Sequence, residues 1–267
     1  MPFELTEILR NNVKEKLARG EVVASMTVRL VRGIEIVRLA KTAGFDSIYV
    51  DLEHSDFSLD TAGQICMAAL EVGIACFVRV PRNTPDWIAR ALDAGALGII
   101  APHVGSAAEA RAVVQAAKFS PIGARSLSGQ LPHLQFRRFP AVDARHSLNE
   151  ATMVIVQLES LDAIEHAEEI VAVDGVDMVL VGANDLTADL GIPGQFEHES
   201  LRQAFARTIA ACRAHNKYAG VGGLARHPKL AAEFVKMGAR YVSTGTDLGF
   251  LLGAASERAR QVRELAS

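Results

Sequence analysis

Cysteine is scarce in this chain of 267 residues, and the three present, Cys66, Cys76 and Cys212, are spread apart and odd in number. No CxxC pair and no Cys/His spacing of a metal site occurs, so a disulfide framework is excluded and a reduced interior is expected. Long apolar runs are absent too. No stretch reaches the roughly 18 uninterrupted apolar residues of a membrane span. The first residues, Met1-Pro2-Phe3-Glu4, carry an acid early and lack a basic region followed by an apolar run, so no signal peptide is expected and the chain reads as cytoplasmic. Charge of one sign is also lacking. A formal net charge of −3 argues against nucleic acid or an anionic membrane as the principal partner. Lysine numbers only seven: Lys14, Lys16, Lys41, Lys118, Lys217, Lys229 and Lys236.

What the chain does have is the composition of an ordinary globular protein, 49% hydrophobic and 22% charged, with enough length for a large core. Leu5, Ile8, Leu9, Val13 and Leu17 recur at helical spacing, which predicts an opening helix over Phe3–Arg19 stopped by Gly20. Eight short apolar runs then alternate with amphipathic helices. The predicted strands are Val23–Val28, Ser47–Leu52, Ala75–Val80, Gly98–Pro102, Met153–Leu158, Met178–Val181, Tyr218–Val221 and Tyr241–Ser243. Ser106-Ala107-Ala108-Glu109 reads as a capping box, and Thr84-Pro85 places proline at a first helical position. Gly44, Gly73, Gly95 and Gly238 each close a helix.

Eight β-α units predict an α/β fold, a parallel (β/α)8 TIM barrel, as one domain over residues 1–267. The rival is an open doubly wound sheet. It usually begins with a Gly-rich phosphate turn, and Thr27-Val28-Arg29-Leu30-Val31-Arg32-Gly33 is not one. Residues Phe119–Glu150 carry no clear strand, and they predict a long excursion over the barrel mouth.

In such a barrel the chemistry sits at the C-terminal ends of the strands. The second strand ends Asp51-Leu52-Glu53-His54 and the third Val78-Arg79-Val80. The fourth ends Pro102-His103, the fifth Gln157-Leu158-Glu159, and the sixth Gly182-Ala183-Asn184-Asp185. Burying so much charge is costly unless it is paired or metal-bound. Glu159 and Asp185, on adjacent strands without a basic neighbour in sequence, suit a hard divalent cation such as Mg²⁺ or Mn²⁺. Arg79 offers a planar fork for a carboxylate or an enolate oxygen, and a salt bridge to Asp51 or Glu53 is compatible with that role. His54 moves protons near neutral pH, with Asp51 or Glu53 to orient it. No lysine is placed at the rim, which argues against an imine mechanism.

In this order, on these strands, the motifs resemble the HpcH/HpaI aldolase family of metal-dependent pyruvate aldolases. They include Gly44-Phe45-Asp46 ahead of Asp51-Leu52-Glu53-His54, Val78-Arg79-Val80 and Pro121-Ile122-Gly123-Ala124-Arg125-Ser126. Gln157-Leu158-Glu159 and Gly182-Ala183-Asn184-Asp185-Leu186-Thr187 complete the set. The resemblance spans nearly the whole chain. It implies Glu159 and Asp185 as ligands of a divalent cation (Mg²⁺ or Mn²⁺, with Co²⁺ also accommodated) and Arg79 at the keto oxygen. It implies His54 with Asp51 as an acid/base pair, and Gln157, Asn184 and Asp185 at the 2-oxoacid. Glu53 would stand beside the water shell of the ion. The resemblance further implies a hexamer, a trimer of dimers, in which Asp93 of a neighbouring copy joins that shell. The substrates would be a 2-oxoacid and an aldehyde.

Three positions depart from the family pattern: Ala183 stands where proline is usual, Val28-Arg29 where an aromatic is common, and Pro102-His103 where Pro-Met is frequent. They bear on the second substrate rather than on the metal and pyruvate chemistry. Alternatives are a citrate-lyase β-like or malyl-CoA-type lyase, a phosphosugar isomerase using Gly222-Gly223 and Gly245, and a barrel that only binds a metal and 2-oxoacids. His103 reads equally as a surface, core or site residue, and Arg29, Arg125, Arg137 and Arg138 read as solvated charge.

Overall fold

A computed structural model describes residues 5–265; Phe3, where the opening helix was expected to begin, lies outside the described residues. The strands are β1 (Val23–Val28), β2 (Ser47–Asp51), β3 (Ala75–Arg79), β4 (Gly98–Ala101), β5 (Met153–Leu158), β6 (Met178–Gly182), β7 (Tyr218–Gly222) and β8 (Tyr241–Thr246). All pair in parallel in sequence order, and β1 pairs with β8 to close the barrel. Closure excludes the open doubly wound sheet.

Helices α1 (Leu5–Ile8) and α2 (Asn12–Ala18) precede β1. They take the place of the single predicted helix because Asn11 caps α2, its side chain accepting from the N–H groups of Val13 and Lys14. The outer layer begins with α3 (Glu35–Thr42), α4 (Leu59–Val72), α5 (Pro85–Asp93) and α6 (Ala107–Ala117). It continues with α7 (Ala141–Ala151), α8 (Leu161–Glu165), α9 (Ala167–Val171) and α10 (Ala183–Asp189). The last three are α11 (Glu199–Ala214), α12 (Pro228–Met237) and α13 (Asp247–Glu264). The local signals have physical counterparts. Ser106 and Glu109 form the reciprocal capping box of α6, Pro85 opens α5, and Gly73 ends α4 at φ +69°, which a side chain rarely adopts. No helix among the described residues is long and apolar enough to cross a membrane.

Alternation along the strands sorts the core into two parts. Outward residues such as Ile48, Val50, Val78, Val154, Val156, Val179 and Val181 pack under the helices. Inward residues such as Tyr49, Phe77, Ile100, Ile155, Leu180 and Tyr241 fill the barrel. Burying a side chain such as Phe77 contributes roughly 1.5–3 kcal/mol. The same alternation carries one step further along each strand. It turns Thr27, Asp51, Arg79 and Gln157 inward at the C-terminal end, above the apolar plug.

The excursion does not cover the mouth. Its residues Phe119, Leu131, Leu134 and Leu148 pack with Leu9, Val13, Leu97 and Met153, at the N-terminal end of the barrel. Lys118 Nζ donates there to the carbonyls of Asn149 (2.7 Å) and Thr152 (2.5 Å), and His133 Nε2 lies 2.9 Å from the Ala96 carbonyl. The reason is burial. These apolar side chains need an apolar surface, and the open end of the plug is one, whereas the mouth is charged. Arg125 is not solvated either. Its side chain is 1% exposed, stacks over the Phe119 ring at 4.7 Å and donates to Asp93 Oδ1 at 2.6 Å. Cys66 and Cys76, ten positions apart in sequence, meet with sulfurs 3.5 Å apart as buried free thiols.

Candidate active site

The central group at the mouth is Asp51, the last residue of β2, whose side chain is fully buried. Its carboxylate accepts a two-pronged bond from Arg79, Nε to Oδ1 at 2.9 Å and Nη2 to Oδ2 at 2.7 Å. Arg29, at the end of β1, adds a third bond from Nε to Oδ2 at 2.5 Å, and the backbone N–H groups of Glu53 and His54 also donate to Oδ1. Burial works against the charge of Asp51, yet the guanidiniums of Arg79 and Arg29 outweigh it and hold this carboxyl below its usual range. Burial likewise works against the charge of Arg79, and Asp51 more than compensates. Removing Arg79 would leave buried Asp51 to Arg29 alone, and removing Asp51 would leave Arg79 to Glu53 alone.

Asp51 does not orient the His54 ring. It meets only the His54 backbone, because its oxygens are taken by the two arginines. The His54 ring is half exposed, and its Nε2 lies 3.7 Å from Glu53 Oε2. Glu53 is therefore the acid nearest His54. Its carboxylate also lies 2.9 Å from Arg79 Nη1 and 2.8 Å from His103 Nε2. The expected salt bridges of Arg79 to Asp51 and to Glu53 both form.

Glu159, just past β5, is buried. Its Oε2 accepts from the His103 backbone N–H at 3.0 Å and lies 2.9 Å from His103 Nδ1. Its Oε1 accepts from Gln157 Nε2. Desolvation pushes the Glu159 carboxyl up to about 7; His103 opposes the shift, and Asp185 and Glu53 add to it by repulsion. A glycine at position 182 lets these groups approach, since a Cβ there would lie 2.6 Å from Glu159 Oε1 and 2.9 Å from Gln157 Nε2. Gln157 is buried, and its Oε1 has no hydrogen-bond partner among the described residues. Asn184 and Asp185 stand exposed in the first turn of α10, directly after β6.

A cavity of about 320 Å³ opens at this mouth, with Glu159 behind its lining, bonded to the lining residue Gln157. His54, Arg79, Gln157, Asn184 and Asp185 line it together with Arg29. Asp93 is not among them. It ends α5 at the other end of the barrel, so within one chain it is remote from Glu159. Of two further contributors, the sequence left His103 open and did not single out Asp247. His103 bridges Glu53 and Glu159 from a left-handed backbone position at φ +54°. Asp247 accepts the N–H groups of Arg29, Leu30 and Val31 and thereby fixes the loop after β1. Their one signal in the sequence is position, immediately after a strand. The glycines after β7 and β8 have a packing reason. At Gly223, φ is +80° and a Cβ would meet Asn184 Nδ2 at 2.8 Å, while at Gly245 it would meet Phe250 at 3.0 Å.

The lysines stay away from the mouth. Lys118 is the buried one, and desolvation pushes its ammonium down to about 8, but it sits at the N-terminal end among backbone carbonyls and Asp177.

A closed parallel barrel with acids, arginine and histidine at its C-terminal mouth defines the class, a (β/α)8-barrel protein with an active-site-like rim. The family model described as HpcH/HpaI aldolase/citrate lyase matches residues 33–254, and the chain belongs to that family. It is 41% identical over 262 residues to a 4-hydroxy-4-methyl-2-oxoglutarate aldolase of Hapsidospora irregularis, covering 96% of each chain. It is 31% identical over 244 residues to a 4-hydroxy-2-oxo-heptane-1,7-dioate aldolase of Salmonella arizonae, covering 91% of each. Among solved structures, an HpcH/HpaI aldolase from Desulfitobacterium hafniense superposes with a TM-score of 0.90 at 29% identity, covering 96% of this chain and 98% of that one.

Proposed function

We propose that this protein is a divalent-cation-dependent carbon–carbon lyase. It joins a pyruvate-type enolate to a carbonyl acceptor and cleaves the resulting 4-hydroxy-2-oxoacid. The observation that carries the reading is Glu159, a buried carboxyl pushed up to about 7 beside a second acid, with no Lys or Arg bonded to it among the described residues. A divalent ion held by Glu159 and Asp185 would supply the countercharge to these two acids. The donor set fits such an ion. Among the described residues no group of three or more His, Cys, Asp and Glu side chains forms a complete cage. Two carboxylates leave the remaining positions to water and to a chelating substrate, as Mg²⁺ commonly does. When bound, the ion would supply Lewis-acid stabilisation of charge on the substrate oxygens.

The chain's own groups then divide the work. Arg79 gives two N–H bonds to Asp51 and points a third nitrogen toward Glu53, which leaves N–H capacity for a keto oxygen as charge grows on it. Asp51 holds that fork in place and stays ionised, so it is a positioning residue and not a base. His54 Nε2 takes the proton of the 4-hydroxyl when the C3–C4 bond breaks and returns it in synthesis, with Glu53 as its nearest acid. Gln157 offers its unpartnered Oε1 to a hydroxyl, and the first-turn N–H groups of Asn184 and Asp185 face the 2-oxoacid carboxylate.

The reading includes assembly as a hexamer, a trimer of dimers. What supports assembly is α13, whose Leu248, Phe250, Leu251, Leu252 and Val262 are exposed on an 18-residue helix with only Asp247 buried. A neighbouring copy is also the route by which Asp93 would reach a mouth. The test is cleavage of 4-hydroxy-4-methyl-2-oxoglutarate and 4-hydroxy-2-oxoheptanedioate in EDTA, then with Mg²⁺ or Mn²⁺ restored. Activity should vanish and return; full activity in EDTA rejects the reading.

A further inference from the structure

Only two cationic side chains other than histidine line the mouth cavity among the described residues, Arg79 and Arg29, and they are committed to different degrees. Arg79 lies at the floor with its side chain 5% exposed and engages both Asp51 and Glu53. Arg29 stands on the wall with its side chain 32% exposed. It binds Asp51 through Nε alone, so both of its Nη groups, with four N–H donors, have no hydrogen-bond partner among the described residues. The tether matters as much as the freedom. Asp51 fixes one end of the guanidinium, and Asp247 fixes the backbone beneath it by accepting three consecutive N–H groups. The planar group is thus preorganised with its outer edge unspent, which is the arrangement that receives a carboxylate in a two-pronged bond.

Its position around the barrel gives that edge a role. Strand order runs β1 to β8 around a closed ring, so β1 stands four strands from β5, on the opposite wall. Glu159 and Asp185 belong to the β5–β6 side. With a 2-oxoacid held on the β5–β6 side, the β1 wall is the part of the mouth left to the acceptor. The remaining surface of that wall is polar and small: Thr27, Ser243 and Gly245 line it, with Thr27 Oγ1 3.3 Å from Ser243 Oγ.

We propose that Arg29 is a specificity-determining residue that binds the carboxylate of an acceptor at this mouth. This inference rests on the aldolase reading. No bond changes at Arg29; it recognises the carboxylate of the acceptor and not the carbonyl being attacked.

The experiment compares matched acceptors with pyruvate as donor: glyoxylate against acetaldehyde, and succinic semialdehyde against butanal. The readout is the ratio of kcat/KM within each pair, which cancels any general loss in a variant. Arg29→Gln should lower the ratio by about 10- to 100-fold for the pair whose carboxylate reaches the wall, the usual scale of a charge-assisted bond. Arg29→Lys should restore part of it. A ratio unchanged in both pairs overturns the proposal and leaves Arg29 as a brace for Asp51. Deuterium exchange at C3 of pyruvate, which needs no acceptor, is followed in parallel by NMR. Cation-dependent exchange in the wild type with an unmoved ratio sinks the Arg29 assignment alone. Absence of exchange and of cleavage in the wild type sinks the aldolase reading beneath it.

Discussion

Replacing Glu159 by glutamine should make the metal-free protein more stable, and by an amount that depends on pH. The carboxyl of Glu159 has an ordinary value of 4.5 and is pushed up to about 7 by burial in the fold. Between those values the folded state holds a proton that the unfolded state has lost. Stability therefore falls as pH rises through this window and levels off above about 7. The full difference, at 1.36 kcal/mol per pH unit, is about 3 kcal/mol at pH 8 and about 1 kcal/mol at pH 5. Glutamine keeps the shape, carries no charge and escapes this cost. In a chain of this size 3 kcal/mol corresponds to roughly 6–12 °C in Tm. The assay is thermal unfolding by circular dichroism at fixed protein concentration, in EDTA and in excess Mn²⁺, at both pH values. In EDTA at pH 8, Glu159→Gln should melt well above the wild type, with the gap mostly closed at pH 5. Mn²⁺ should raise the wild type by about 2.7 kcal/mol at a hundred times its Kd, and the variant far less. A variant that melts at or below the wild type at pH 8, or that gains as much from Mn²⁺, would refute the argument that burial penalises the Glu159 carboxylate and that a divalent cation binds it.

Arg79→Lys should lower both cleavage and pyruvate C3 exchange by about 10²–10³, since a point charge does not reproduce the fork; near-normal exchange measured by NMR would exclude Arg79 from the keto oxygen. His54→Ala should lower turnover by about 10²–10⁴ while calorimetry finds Mn²⁺ affinity nearly intact, and loss of the metal instead would exchange the roles of ligand and base. Borohydride with pyruvate should trap no adduct, because Lys118, the buried lysine, lies at the far end of the barrel; a lysine adduct in mass spectrometry would overturn the cation-dependent route.

The barrel was legible because its signals are local. Strand periodicity, the Ser106–Glu109 box and the helix-closing glycine at 73 each act within a few residues, and parallel β-α units leave few ways to arrange themselves. The strand-end rule also turned Asp51, Arg79, Gln157 and Glu159 toward one mouth before any coordinates, since alternation decides which side chains face inward. Partnerships were legible only in part. The bridge from Arg79 to Asp51 was anticipated, but Asp51 was also assigned to His54, three residues away, and its second partner, Arg29, 22 positions distant, was read as solvated charge. The choice depends on which guanidinium can reach a buried carboxylate, and that is a property of neighbouring strands.

The excursion makes the same point at larger scale. Its composition announced a long segment without a strand, but where it packs follows from which surface remained apolar once the barrel had closed. Sequence alone thus determined the element order, the parallel barrel and the identity of the rim residues, because short-range propensity and periodicity carry those. Tertiary structure decided who pairs with whom: that His103 bridges Glu53 and Glu159, that Arg125 is buried on Phe119, and that Arg29 keeps one edge unspent. Pairing energies depend on distance and burial, and both exist only after residues remote in the chain have been brought together.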